Sequence, residues 1–264
     1  MKKMNFKLII FVFGVFLFVS CKGKFSSDSS DNGTESVIIA TSSWTAAYAE
    51  AAGAKDIIVL APFEMEHPSE YELRPVDIAK LLNAKVIVYA GYEVMTEHLK
   101  KGLDIPQDKL LLVETDYSFE KIEKSVMSIA EVLGTESIAR ENLLEIRRVL
   151  DEGRKAIAER NLAETPIVVH WFQASIVREL GLSPVGIFGP ASPEASEIVA
   201  ISKMQTNLIL DNYHNPVGQS IKEIFPKTRY AQLLNFPGLN GTKSLTDVIQ
   251  YNISLIVGNG ELSF

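Results

Sequence analysis

Apolar residues fall along this chain in two patterns, short unbroken runs and stripes spaced by three and four, and the two alternate. Val37-Ile38-Ile39-Ala40 is an apolar run of buried-strand length between polar neighbours. Thr41-Ser42-Ser43 then offers hydroxyls suited to cap a helix, Trp44 to Ala52 reads as that helix, and Gly53 ends it. The pattern goes on with strands over Ile57 to Leu60, Lys85 to Ala90 and Leu110 to Val113. Helices are predicted over Pro75 to Asn83, with proline at the start, over Glu93 to Lys101, and over Phe119 to Leu133, closed by Gly134. Strand–helix alternation of this kind predicts a parallel sheet covered on both faces.

From Glu136 to roughly Ala163 the pattern becomes one long helix. Leu143, Ile146, Leu150, Gly153 and Ile157 recur at alternating steps of three and four among Glu, Arg and Lys. A charged helix with a single apolar stripe in mid-chain reads as a spine between two lobes. Alternation then resumes. Strands are predicted at Ile167 to Val169, Val185 to Phe188, Asn207 to Leu210 and Tyr230 to Leu234. The helices between and after them are Gln173 to Leu180, closed by Gly181, then Ser196 to Met204, Val217 to Ile224 and Leu245 to Val257. No internal sequence repeat stands out.

The first residues follow a different logic. Lys2, Lys3 and Lys7 precede an apolar run from Leu8 to Val19, and small Ser20 stands before Cys21. That order describes a secretory signal peptide, and the run falls short of the ~20 residues of a membrane helix. Leu17-Phe18-Val19-Ser20-Cys21 resembles the lipobox of bacterial lipoproteins, which implies lipidation of Cys21 and a membrane anchor in the cell envelope, outside the cytoplasm. Lys22 to Ser36, rich in Ser, Asp and Gly, reads as a flexible tether.

Composition narrows the functions. The formal net charge is −7 over 264 residues, and no basic cluster follows the signal, so nucleic acid is not expected as a partner. Cys21 is the only cysteine, which excludes an internal disulfide, a four-cysteine zinc site and a thiol nucleophile in the body. Gly189-Pro190-Ala191-Ser192-Pro193 lacks the lysine of a phosphate loop, and there is no Gly-x-Ser-x-Gly elbow.

Histidine carries the candidate chemistry. Of the four, His98 lies on a charged predicted helix and reads as a surface residue. His67, His170 and His214 each follow a predicted strand, and ligands of open α/β sheets bind at the carboxyl ends of strands. His67 belongs to the first half, His170 and His214 to the second, so facing lobes would bring three imidazoles to one cleft. Neutral imidazole suits zinc, and also copper, iron and nickel, and Asp211 offers a carboxylate as fourth ligand. Each has a plainer role open to it: His67 shaping a turn before Pro68, His170 satisfied in the core beside Trp171 and Phe172, His214 capping the next helix. Trp44, at a helix start after the first strand, has two readings, facing the cleft or packing a lobe.

The segment His67-Pro-Ser-Glu-Tyr71-Glu72-Leu-Arg-Pro75-Val-Asp77, with the strand that ends in Gly91, resembles the metal-binding lipoproteins of zinc and manganese ABC importers, the zinc-uptake or TroA-like family. That family shows a histidine, an aromatic–acid pair, Pro-x-Asp, a helix and a strand ending in glycine. His170-Trp-Phe-Gln, followed by a helix and Gly181-Leu182, resembles its later histidine. The likeness covers nearly the whole mature chain. The family's second histidine has no counterpart, because the stretch reads Glu114-Thr-Asp116, and its late aspartate is replaced within Leu234-Asn235-Phe236-Pro237-Gly238. His214 is the candidate replacement.

The expectation is therefore an α/β protein with two Rossmann-like lobes joined by a spine helix and a metal cleft between them. Its divisions are a signal peptide (1–20), a tether (21–36), an N-terminal lobe (37–134), the linking helix (135–163) and a C-terminal lobe (164–264). The resemblance implies a monomeric, non-enzymatic carrier that passes Zn2+, or second Mn2+, to an ABC permease. Two rivals stand beside it: the same fold used for another small ligand, and a zinc hydrolase with Glu66 as its base.

Overall fold

The computed structural model describes residues 37–258. The expected signal peptide, Cys21 and tether lie outside the described residues. Two four-stranded parallel sheets form the body. The first contains β1 (Ile38–Ala40), β2 (Ile58–Val59), β3 (Val86–Tyr89) and β4 (Leu110–Leu112), in the order β2-β1-β3-β4. The second contains β5 (Ile167–His170), β6 (Gly186–Phe188), β7 (Leu208–Asn212) and β8 (Arg229–Leu233), in the order β6-β5-β7-β8. The halves repeat one topology without repeating a sequence.

Helices α1 (Ser43–Ala51), α2 (Pro75–Leu82) and α3 (Phe119–Leu133) accompany the first sheet, and α4 (Glu136–Glu159) is the spine. In the second half α5 (Ala174–Glu179), α6 (Ala195–Ser202), α7 (Gln219–Ile224) and α8 (Leu245–Val257) follow the strands. Ser42 caps α1 in a reciprocal box with Thr45. Gly134 ends α3 at φ +70°, where a side chain would be strained.

Alternation along each strand assigns its faces. Ile38, Val86, Val88, Ile167, Val169, Leu208 and Leu210 enter one core that also takes α1, α3, α4 and α8, so it runs without interruption through both halves. The spine's stripe of Leu143, Ile146, Leu150 and Ile157 lies buried within it. Gly153 belongs to this stripe because α8 comes too close for a side chain: a Cβ there would meet Ile253 Cδ1 at 2.6 Å. The other faces pack separately. Ile39 and Ile87 join a cluster with Leu81, and Val168 and Ile209 join one with Phe188 and Ile221.

Several boundaries differ from the sequence reading, and two of them reshape the surroundings of buried carboxylates. The helix expected over Glu93 to Lys101 shrinks to a short π turn at His98–Gly102, preceded by the loop that holds Glu93. That buried carboxylate accepts from Ala90 N (2.8 Å), Gly91 N (2.6 Å) and Thr41 Oγ1 (2.6 Å), bonds that fix the loop as a turn. Strand β7 runs on to Asn212 and takes Asp211 into the sheet.

Candidate metal centre

A cleft of about 980 Å³ lies at the carboxyl ends of the strands of both sheets. The first half contributes Ser42 and Trp44 after β1, His67 after β2, Glu93 after β3 and Glu114 to Tyr117 after β4. The second contributes Trp171 and Phe172 after β5, His214 after β7, and Asn235 and Phe236 after β8. Tyr117 Oη donates to the carbonyl of Asn235 (2.9 Å), and Trp44 lies against Phe236 with centroids 6.1 Å apart, so the two rims also touch.

The four expected metal ligands divide into two pairs. His67 and His214 both line the cleft. His67 is exposed and precedes a 3-10 turn that starts at Pro68, its carbonyl accepting from Glu70 N (3.0 Å). His214 is buried. Its ring stacks on Phe236 with centroids 3.7 Å apart, its Nδ1 accepts from Asn235 N (3.3 Å), and its Nε2 has no partner. Burial, and then the nearby His67, push the His214 imidazole down to about 4, which keeps it neutral at ordinary pH.

His170 and Asp211 form the other pair. His170 ends β5 rather than following it, and shares a face with Val168 by the two-residue period. That face is the one packed with Phe188, whose ring meets His170 edge-on at 5.5 Å, and Gly189 lies directly over His170 Nε2. Asp211 shares the corresponding face of β7 with Ile209. Its carboxylate accepts from Asn212 N (2.8 Å), Gly218 N (2.8 Å) and Tyr230 Oη (2.6 Å), and so serves the fold of its own sheet. Burial lowers the pKa of His170, and the charge of Asp211 opposes that shift. Among the described residues no group of three or more His, Cys, Asp or Glu side chains is gathered for a metal ion. The expected four-ligand set is thus split: His67 and His214 line the cleft, while His170 and Asp211 sit in the packing of the second sheet. His98 is exposed on its turn.

Other features of the cleft escaped the sequence. Where the resembled family has a second histidine, Lys121 Nζ bridges Glu114 Oε1 (2.6 Å) and Asp116 Oδ2 (3.1 Å). Tyr48 Oη clamps the backbone of Asp116, donating to its carbonyl at 2.5 Å and accepting from its N–H at 2.9 Å. Asn235 Oδ1 accepts from Gln173 Nε2 (2.6 Å), so the amide is used in positioning the loop. The spacing of Glu114, Asp116 and Lys121 was a readable hint of an ion-pair cluster. The stacking of Phe236 on His214 joins residues far apart in the chain and left no local signal.

With that geometry in hand, known structures resemble the chain over most of its length. The Mn-bound periplasmic metal-binding protein of Candidatus Liberibacter asiaticus is 15% identical, with a TM-score of 0.61 over 86% of this chain and 100% of the other. The substrate-binding protein FpvC of P. aeruginosa, in complex with Ni2+, is 16% identical, with a TM-score of 0.64 over 84% and 95%. The laminin-binding protein Lbp of Streptococcus pyogenes is 13% identical, with a TM-score of 0.64 over 85% and 98%. These likenesses establish the fold, here two α/β halves with a four-stranded parallel sheet each and α4 between them. No protein-family model and no curated protein matches the chain.

Proposed function

We propose that this chain is an extracytoplasmic solute-binding lipoprotein that captures a transition metal ion, zinc first and manganese second, and hands it to an ABC permease. The observation that carries the reading is the meeting of His67 and His214, from opposite halves, in one cleft. The shared fold supports it, as do the metals named with the similar structures: manganese, nickel and cadmium. Imidazole nitrogen favours zinc over the oxygen-preferring manganese. His67 and His214 are the protein's ligands in this account. His170 and Asp211 stand behind them as support for the loops that follow β5 and β7.

The chain's role is to hold and release, not to transform. Because one core runs through both halves, wide lobe separation would tear buried contacts, so release proceeds by movement of the cleft loops. Lipidation at Cys21 would keep the body at the membrane where the permease lies. Two experiments test the reading. Stripped protein offered zinc, manganese and nickel in competition should retain zinc and gain thermal stability with it; no retention of any metal would overturn it. Cys21→Ser should release the protein from membranes, and undiminished membrane retention would remove the anchor.

A further inference from the structure

The loops around the cleft are held unequally. After β3, Glu93 accepts from the N–H groups of Ala90 and Gly91, and after β4, Tyr48 Oη holds both backbone groups of Asp116. The loop after β8 is built otherwise. Leu234 is tied to α8 through Asn252, whose side chain accepts from Leu234 N (2.8 Å) and donates to its carbonyl (2.9 Å). The backbone is tied again at Gly238, whose N–H donates to the carbonyl of Thr242 (3.0 Å). Between these points Asn235, Phe236 and Pro237 are buried, yet among the described residues none of them makes a backbone–backbone hydrogen bond.

This stretch is held by side chains, and several of its ties cross to the first half. Tyr117 Oη donates to the Asn235 carbonyl (2.9 Å). The Phe236 ring lies against Trp44 (6.1 Å between centroids), which itself stacks on Tyr117 (5.8 Å). Gly238, at φ +132°, comes so close to Phe63 that a Cβ there would meet the Phe63 carbonyl oxygen at 2.6 Å. Toward its own half, Phe236 covers one face of the His214 ring (3.7 Å), Asn235 N donates to His214 Nδ1 (3.3 Å), and Gln173 Nε2 holds the Asn235 side chain (2.6 Å). A buried segment without a backbone ladder opens at a lower free-energy cost than the strands around it.

We propose that residues 235–237 form a strap over His214, latched to the first half by Tyr117, and that the ion enters and leaves as the strap parts from Trp44 and Phe63. This rests on the metal-capture reading and names the loop that moves. The latch bonds are the same with and without an ion, so weakening them speeds entry and exit alike and leaves the affinity unchanged.

Tyr117→Phe removes the latch bond and keeps the ring, and one hydrogen bond is worth about fivefold in an opening equilibrium. The first readout needs no metal. Trp44 Nε1 is buried, so in the stripped protein its exchange with deuterium, followed by NMR, reports the opening. Exchange should be about fivefold faster in Tyr117→Phe. Low urea should affect it far less than the amides of β7, because a local opening exposes little surface. The second readout is stopped-flow zinc binding, with release into excess chelator. Association and release should both quicken about fivefold at unchanged affinity. Gly238→Ala, which pushes the strap off Phe63 from its other end, should act in the same direction. Trp44 exchange as urea-dependent as that of β7 would overturn the strap, as would unchanged zinc rates in both variants or a change in affinity alone. Local, accelerated Trp44 exchange in proteins that take up no zinc, wild type included, would overturn metal capture and leave the latch standing.

Discussion

The two rims of the cleft share a topology and differ in chemistry. The first rim is charged and partly solvated. It presents exposed His67, the Lys121 bridge between Glu114 and Asp116, and Glu93 bound by backbone N–H groups. On the second the imidazole is buried: His214 stacks on Phe236, beside the exposed Trp171 and Phe172. A solvated donor is free to meet an incoming ion, whereas a desolvated neutral imidazole has no water to shed on binding. Under the proposed metal capture, the ion meets a solvated imidazole on the first rim and a desolvated one on the second.

The largest effect separates fold from ligation in the second half. Asp211→Ala strands three donors, each costing about 1–3 kcal/mol when buried without a partner. Urea unfolding should show a loss of roughly 3 kcal/mol or more, whereas a residue needed only for metal would leave the stripped protein as stable as before.

Acid comes next and acts on the second rim. The His214 pKa is about 4 in the folded protein, against about 6.5 when unfolded, and that of His170 is also lowered. Between those values the unfolded chain binds a proton that the folded one refuses, so stability falls as pH drops from about 6.5 toward 4 and is complete above that window. Urea midpoints at pH 7.5, 6 and 5 should decline, and His214→Gln should decline less steeply. Equal slopes for the two proteins would mean that His214 titrates normally.

A smaller effect belongs to the first rim. Lys121→Met leaves Glu114 and Asp116 unneutralised beside the cleft. The pairs are partly exposed, so stability should change by less than about 1 kcal/mol. Affinity for a cation should rise a few-fold at low salt and return toward wild type at high salt, where screening is strong. Calorimetry at two ionic strengths would read this, and a weaker cation response would show that Lys121 is needed to hold Glu114 and Asp116 in place.

What the sequence disclosed was local. The apolar run at Val37 to Ala40, the three-four stripe of the spine and the Gly134 stop all appear in the fold as read. Burial on the outer face of a sheet was harder to read. Aspartate is a poor strand former, so the run ending at Leu210 concealed that β7 continues through Asp211 on bonds from Gly218 N and Tyr230 Oη. One residue decided the place of His170: as the last residue of β5, its parity turns it onto the Phe188 face. The meeting of His67 with His214 depends on how the halves pack, and only the alternation of strands and helices hinted at it.

The central claim is that His67 and His214 serve one ion from opposite rims. A double-mutant cycle on zinc affinity, with His67→Ala, His214→Ala and the pair, tests it most directly, with stripped-protein stability followed in parallel. The account predicts that each single change lowers affinity by more than about 100-fold, beyond the 10–100-fold of indirect supports, and that the double variant binds little worse than either. Losses that simply add, or a His214→Ala protein that binds zinc like wild type, would contradict it.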